Sequence, residues 1–425
     1  MLKSLLYVSI GLFLTGLLTG CSSIAPIPTA DRQSLFVRNL YLMNPKVKSV
    51  TIPFRFANNL IIIPVSINGS DSLRFIVDTG VKIPLITLLN VSDSIKFSNA
   101  RKIKIRGLGT GEDLEALLSY GNLFAFTPHL QAYNHDLLIL MQDVFMLSTK
   151  LGMYVNGIIG YDFFKDFIVE IDYQARRLTL HDPKYYRKKL RGYALPIHVE
   201  DGKPYVECYI KQMNDKRVKV RLLIDTGASS AVSLDVFSHP DIKYPLQHIE
   251  TYLGQGLSGE IHGKLGRIEA LELGKYILKN VTTAFPDSAS LGMYAGSSQR
   301  NGQLGAEVLR RFRIFMDYED GKMYLKPNAF FKEPFNYNLS GMEVITPIPG
   351  LPLFTISEVS PHSPAAEAGL LPGDEILHIN RRSAFSLRLT EIMALFQSKP
   401  GRRISISVRR GAQTITTQLV LRKPI

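Results

Sequence analysis

Apolar positions along this chain alternate with polar ones in short runs, cut by Gly, Asn and Asp, a pattern that predicts strands joined by tight turns. The runs recur as a unit. Leu60-Ile61-Ile62-Ile63-Pro64-Val65 is followed by a polar turn and by Phe75-Ile76-Val77-Asp78-Thr79-Gly80. Pro204-Tyr205-Val206-Glu207-Cys208-Tyr209-Ile210 is followed by a polar turn and by Leu222-Leu223-Ile224-Asp225-Thr226-Gly227. Downstream, Gly157-Ile158-Ile159-Gly160 places Gly160 82 residues beyond Asp78, and Gly302-Gln303-Leu304-Gly305 places Gly305 80 residues beyond Asp225. Val169–Tyr173 and Ile314–Tyr318 then match, each followed by a turn and a basic-apolar strand. Matching order and spacing predict a duplicated all-β unit.

Each copy also holds a glycine-rich hairpin candidate, Ile103–Glu112 around Leu108 and Gly109, and Tyr252–Glu260 around Gly256 and Leu257. Glycine there permits positive φ and close backbone approach, which suits an ordinary turn or a flap over a cleft. After Pro327 the pattern changes. Glu358–Leu370 and Gly373–Asn380 read as strand, turn, a short helix capped near Ser363, a second turn and a strand. Leu389–Gln397 suits a second helix, and Arg403–Val408 with Thr414–Val420 suit a closing hairpin.

The chain has 425 residues, which suggests two or three domains. Its net charge is +13, with basic clusters at Lys184–Arg191, Lys216–Arg221 and Arg402–Arg410. These read as solvated strand edges and loops before they read as a surface for an anionic membrane or partner, and no nucleic-acid module accompanies them. Two cysteines exclude a disulfide framework. The nine histidines are scattered without zinc-type spacing, so neither metal nor cofactor is expected. Lys3 precedes an apolar run from Leu5 to Leu18, too short for a spanning helix, that ends in Leu18-Thr19-Gly20-Cys21. This segment resembles the lipobox of bacterial lipoproteins, which implies cleavage before Cys21 and lipid on its sulfur. Ser22–Asp31 then reads as an exposed tether. With Ser22, not aspartate, after the cysteine, the resemblance implies an exported protein on the periplasmic face of the outer membrane or the cell surface.

The paired Asp-Thr-Gly sequences carry the candidate chemistry. Two carboxyls in near contact cannot both ionise, so a pair shares a proton; one member can activate water while the other polarises a carbonyl. Asp78 and Asp225, at equivalent positions of a repeat, fit that need. Over roughly residues 50 to 330 the arrangement resembles aspartic peptidases of the retropepsin-like kind, duplicated in one chain as in pepsin-like enzymes. The resemblance implies a bilobal, mainly β fold of two acid-protease barrels, with Asp78 and Asp225 catalytic. It further implies Thr79 and Thr226 bonding across the axis, Gly80 and Gly227 permitting close approach, and Ile159-Gly160 and Leu304-Gly305 packed behind the loops. The first loop departs from the pattern: Gly80 is followed by Val81-Lys82, whereas Gly227 is followed by Ala228-Ser229. The first flap lacks the tyrosine of pepsin-like enzymes, and Tyr252 matches it loosely. The C-terminal segment resembles a PDZ domain of bacterial proteases, which implies peptide addition at a sheet edge with Gly341, Met342, Glu343 and Val344 as the binding loop and strand. The expected organisation is a signal at 1–20, a tether at 21–50, lobes at 51–185 and 186–332, and a PDZ domain at 338–425. The expected protein is a membrane-tethered, monomeric endopeptidase acting on polypeptide. A non-catalytic peptide-binding scaffold, or two chains pairing through equivalent halves, stays open as an alternative.

Overall fold

A computed structural model describes residues 40–44, 46–89, 95–97, 99–105, 113–187, 190–291 and 300–423. The period-two pattern forms mostly strands. In the first copy, Leu60–Ile67, Leu73–Val77, Gly157–Ile159, Leu85–Ile86, Leu130–Leu140 and Leu114–Thr127 pair in that order. Pairing of Leu114–Thr127 with both Leu130–Leu140 and Leu60–Ile67 closes the ring. In the second, Lys203–Lys211, Arg217–Asp225, Gly302–Gly305, Val232–Leu234, Tyr276–Pro286 and Gly259–Leu273 follow the same order and close through Lys203–Lys211 against Gly259–Leu273. Closure satisfies every strand edge, and the inward residues of each alternation form the cores.

A sheet shared by the copies joins them. Its strands are Ser49–Pro53, Arg177–His181, Ile168–Asp172, Phe312–Asp317, Lys322–Pro327 and Tyr193–Glu200, in that order. The equivalent strands Ile168–Asp172 and Phe312–Asp317 meet antiparallel, with Glu170 opposite Phe315. Their buried faces belong to one core that runs through both barrels. This sheet fixes the barrels relative to each other and so fixes the loops that carry the two aspartates.

The segment expected to be tether up to residue 50 enters the fold earlier. Leu40–Leu42 pairs with the Leu130–Leu140 strand, with Leu40 opposite Ala132 and fully buried, and Ser49–Pro53 edges the shared sheet. Three residues are too few for a period to show, which is why this strand was not legible.

The C-terminal residues form a separate sheet, Met342–Ile345, Phe354–Val359, Glu375–Ile379, Arg403–Arg410 and Gln413–Val420, over its own core. The short helix Pro364–Glu367 is capped as expected, Ser363 Oγ accepting from Ala366 N–H at 3.2 Å. The second helix is Leu389–Phe396. Gly341 has φ 72°, and a Cβ there would lie 2.1 Å from that of Ser363, so the turn before the edge strand requires glycine.

Candidate active site

Asp78 follows the strand Leu73–Val77, and Asp225 ends the strand Arg217–Asp225. Each strand lies parallel to the short strand of its glycine motif, with Ile159 opposite Val77 and Gly305 opposite Asp225. A Cβ on Gly160 would lie 2.1 Å from the carbonyl oxygens of Asp78 and Val81, and one on Gly305 2.2 Å from that of Ser230. The apolar-Gly motifs therefore sit directly behind the aspartate loops, where no side chain fits.

The loops are laced to each other. Thr79 N–H donates to Thr226 Oγ1 and Thr226 N–H to Thr79 Oγ1, both at 3.1 Å. Thr79 Oγ1 donates to Ile224 O at 2.5 Å, and Thr226 Oγ1 to Val77 O at 2.8 Å. Four reciprocal bonds across the axis leave little freedom for either loop. Gly227 passes so close to the opposite carboxyl that a Cβ there would lie 2.2 Å from Asp78 Oδ2. The arrangement brings Asp78, Thr79, Asp225, Thr226 and Gly227 into one buried cluster.

The carboxyls are unequally held. Asp78 Oδ1 accepts from Gly80 N–H at 2.7 Å, while Asp225 Oδ1 accepts from both Gly227 N–H at 2.9 Å and Ala228 N–H at 3.0 Å. Val81 N–H instead turns to the backbone oxygen of Asp78, at 3.2 Å. Each Oδ2 is buried without a donor from the rest of the protein, and the two carboxyls act directly on each other. Burial, and then the charge of Asp225, hold the Asp78 carboxyl well above the ordinary range. Burial pushes Asp225 up to about 6, against the two N–H donors, the Asp78 side chain and the charge of Arg300. The geometry therefore favours the anion at Asp225 and the proton at Asp78, with the titration belonging to the pair.

Of the hairpin candidates, Leu108 and Gly109 lie outside the described residues. Gly256 and Leu257 sit at the tip joining His248–Gly256 to Gly259–Leu273. Leu257 is buried in the first copy, in one apolar cluster with Val81, Leu85, Leu147 and Leu151. The tip of the second hairpin thus seats in the first copy, in the cluster that holds Val81 of the Asp78 loop. Tyr252, on that hairpin, accepts a hydrogen bond from Lys150 Nζ at 3.0 Å.

The sequence reading missed Lys150 and Lys203. Lys203 is buried beside the pair, and its charge bears on Asp78. No local signal marked Lys203: it shares the strand face of exposed Glu207, opposite the core-facing Val206, Cys208 and Ile210. In the C-terminal sheet, Met342, Glu343 and Val344 form the edge strand and are buried. The far end of the groove between this strand and Leu389–Phe396 is covered by the short helix Leu147–Leu151 of the first copy. Thr346 N–H donates to Thr149 O at 3.0 Å, and a Cβ on Gly152 would lie 3.1 Å from Leu389 Cβ. A cavity of about 230 Å³ remains between Lys150, Leu151 and the Leu389–Gln397 face.

Residues 206–308 match the aspartyl protease family model, which includes Asp225 and leaves Asp78 outside the matched span. Residues 355–410 match the PDZ domain model. No curated protein matches the chain. The two closed six-stranded barrels fit duplicated retropepsin-like lobes, the second carrying the span that matches the aspartyl protease model, and a PDZ domain follows them.

Proposed function

We propose that the chain is an aspartic endopeptidase that hydrolyses peptide bonds with water activated by Asp78 and Asp225. The observation that carries this reading is the pair of buried carboxyls fixed by reciprocal threonine bonds. Asp225, the better stabilised anion, takes a proton from the water as its oxygen attacks the scissile carbonyl carbon. Asp78 donates a hydrogen bond to the carbonyl oxygen, which becomes the second hydroxyl of the tetrahedral species. Collapse breaks the C–N bond and passes a proton to the departing nitrogen. The second hairpin closes the cleft and excludes water from competing paths. Asp78→Asn and Asp225→Asn each abolish cleavage of a denatured protein; a parent-like rate in both variants overturns the mechanism.

The PDZ domain receives a polypeptide C-terminus or extended strand at Met342–Ile345 and orients substrate toward the cleft. The mature chain is monomeric, starts at Cys21 and is held by acyl chains at the periplasmic face of the outer membrane or the cell surface. Incorporation of labelled fatty acid that survives Cys21→Ser excludes this anchor. A non-catalytic peptide-binding scaffold is the second reading, supported by the single backbone donor at Asp78 where Asp225 has two. It is the reading that stands if the parent binds peptides without turnover from acidic to neutral pH.

A further inference from the structure

The edge strand of the C-terminal sheet carries a charge that the packing of that sheet does not explain. Met342 and Val344 turn into its core, so Glu343 between them stands on the other face. The register partner of Glu343 on the neighbouring strand is Glu358. Carboxylates directly opposite each other in an antiparallel pair repel, yet Glu343 is buried. Burial, and then the charge of Glu260, hold the Glu358 carboxyl above its ordinary range. Among the described residues Glu358 Oε2 is buried without a hydrogen bond.

The positive charge that answers this pair comes from outside the sheet. Lys150 and His262, the cations that act on Glu358, both belong to the peptidase lobes. Lys150 lies in the short helix Leu147–Leu151 and is acted on by Glu343 as well. The other acids around Lys150 have partners of their own. Glu260 Oε2 meets His262 Nε2 at 2.9 Å, and Asp143 Oδ1 accepts from Met146 N–H at 2.9 Å. Two cross-strand carboxyls of one domain thus share a lysine lent by another.

The helix reaches the pair along the outer edge of Met342–Ile345, where no strand among the described residues pairs. Thr346 N–H, just past that strand, donates to Thr149 O at 3.0 Å. The helix therefore supplies two things that an added strand supplies: a backbone acceptor at the edge, and a side chain on the Glu343 face.

We infer that Glu343 and Glu358 form a recognition site for a basic side chain, Lys or Arg, of the peptide that adds to Met342–Ile345, and that Lys150 holds its place in the free protein. The inference rests on the reading of that strand as the peptide-binding edge. Residues directly opposite in a strand pair project from the same face. The peptide residue opposite Glu343 therefore stands beside the carboxyls, while its two neighbours turn toward the groove beside Leu389–Phe396. A Lys or Arg there restores the charge-assisted contact that displacement of the helix removes. A neutral residue leaves the two carboxyls facing each other without their cation, and an acidic one adds a third negative charge.

The test is a calorimetric scan in which one Lys moves through the last four residues of an otherwise neutral peptide with a free C-terminus. At one position Lys binds about tenfold more tightly than Gln at the same place. The net charge of +13 works against any nonspecific preference for a basic peptide. In Glu343→Gln the Lys-to-Gln ratio falls toward one, in Glu358→Gln it is lowered, and in Lys150→Met it persists. Should Glu343→Gln fail to fold, Glu358→Gln decides. Equal affinities at all four positions, or a ratio unchanged in the folded Glu343→Gln or Glu358→Gln protein, overturn the site while the peptide-binding edge stands. If neither the parent nor Lys150→Met binds any of the peptides, the edge reading itself fails and the site fails with it.

Discussion

Two carboxyls buried side by side destabilise the fold in proportion to how far they resist ionising. Asp225 is raised to about 6 by burial, from an unfolded value near 4. The folded state therefore keeps its proton longer than the unfolded state does. Stability contributed by the protonated form is complete below about pH 4 and is lost as pH rises to about 6. Asp225→Asn removes that titration, so relative to the parent the variant gains roughly 3 kcal/mol across this window, on top of whatever difference the two show at pH 4. Denaturant unfolding of both proteins at pH 4 and pH 7 checks the sign, and an advantage that shrinks with rising pH contradicts it. The pair was legible in the sequence because each aspartate sits in a local motif repeated at equal spacing. Its inequality was legible only as Val81-Lys82 against Ala228-Ser229. What those residues do, one N–H donor to Asp78 against two to Asp225, depends on loop geometry that letters do not carry.

At the scale of elements, the second hairpin joins one lobe to the other through the apolar side chain at its tip and through the Lys150–Tyr252 bond. Leu257 stands on a turn between two long strands, yet it is buried in the first copy's core. The glycines around it announced a turn, and nothing local announced where the tip would land. That destination comes from the shared sheet, which sets the barrels face to face. Leu257→Ala removes apolar burial of the order of 2–3 kcal/mol from the closed hairpin. Because the hairpin can detach while both barrels stay folded, the loss falls on closure before it falls on global unfolding. Faster amide exchange confined to His248–His262, with a raised KM and a thermal midpoint within a few degrees of the parent, is the expected outcome. A collapse of the midpoint without local exchange means that the tip is a core residue and not a flap.

Across the whole molecule, Lys150 stands where three parts meet. It lies in the short helix of the first lobe, donates to Tyr252 of the second lobe's hairpin, and faces Glu343 and Glu358 of the PDZ sheet. Burial lowers its amine, against the charges of Glu343, Glu260, Glu358 and Asp143. Neither the helix nor this lysine stood out in the sequence, since their partners lie more than a hundred residues away. The same helix covers the far end of the groove beside Met342–Ile345, so a peptide extending along that strand displaces it. Displacement then loosens the cation that holds Tyr252, which links occupancy of the PDZ groove to the second hairpin. Lys150→Met weakens the helix's hold on both sides by removing the main cation opposite Glu343 and Glu358. The variant binds a peptide with a free C-terminal carboxylate more tightly than the parent does, by about tenfold if release of the helix costs near 1.4 kcal/mol. The same peptide speeds amide exchange in His248–Gly256 of the parent and leaves it unaltered in the variant, where the hairpin is already released. Equal affinity in the two proteins, measured by calorimetry against the amidated peptide as blank, breaks the link between groove and cleft.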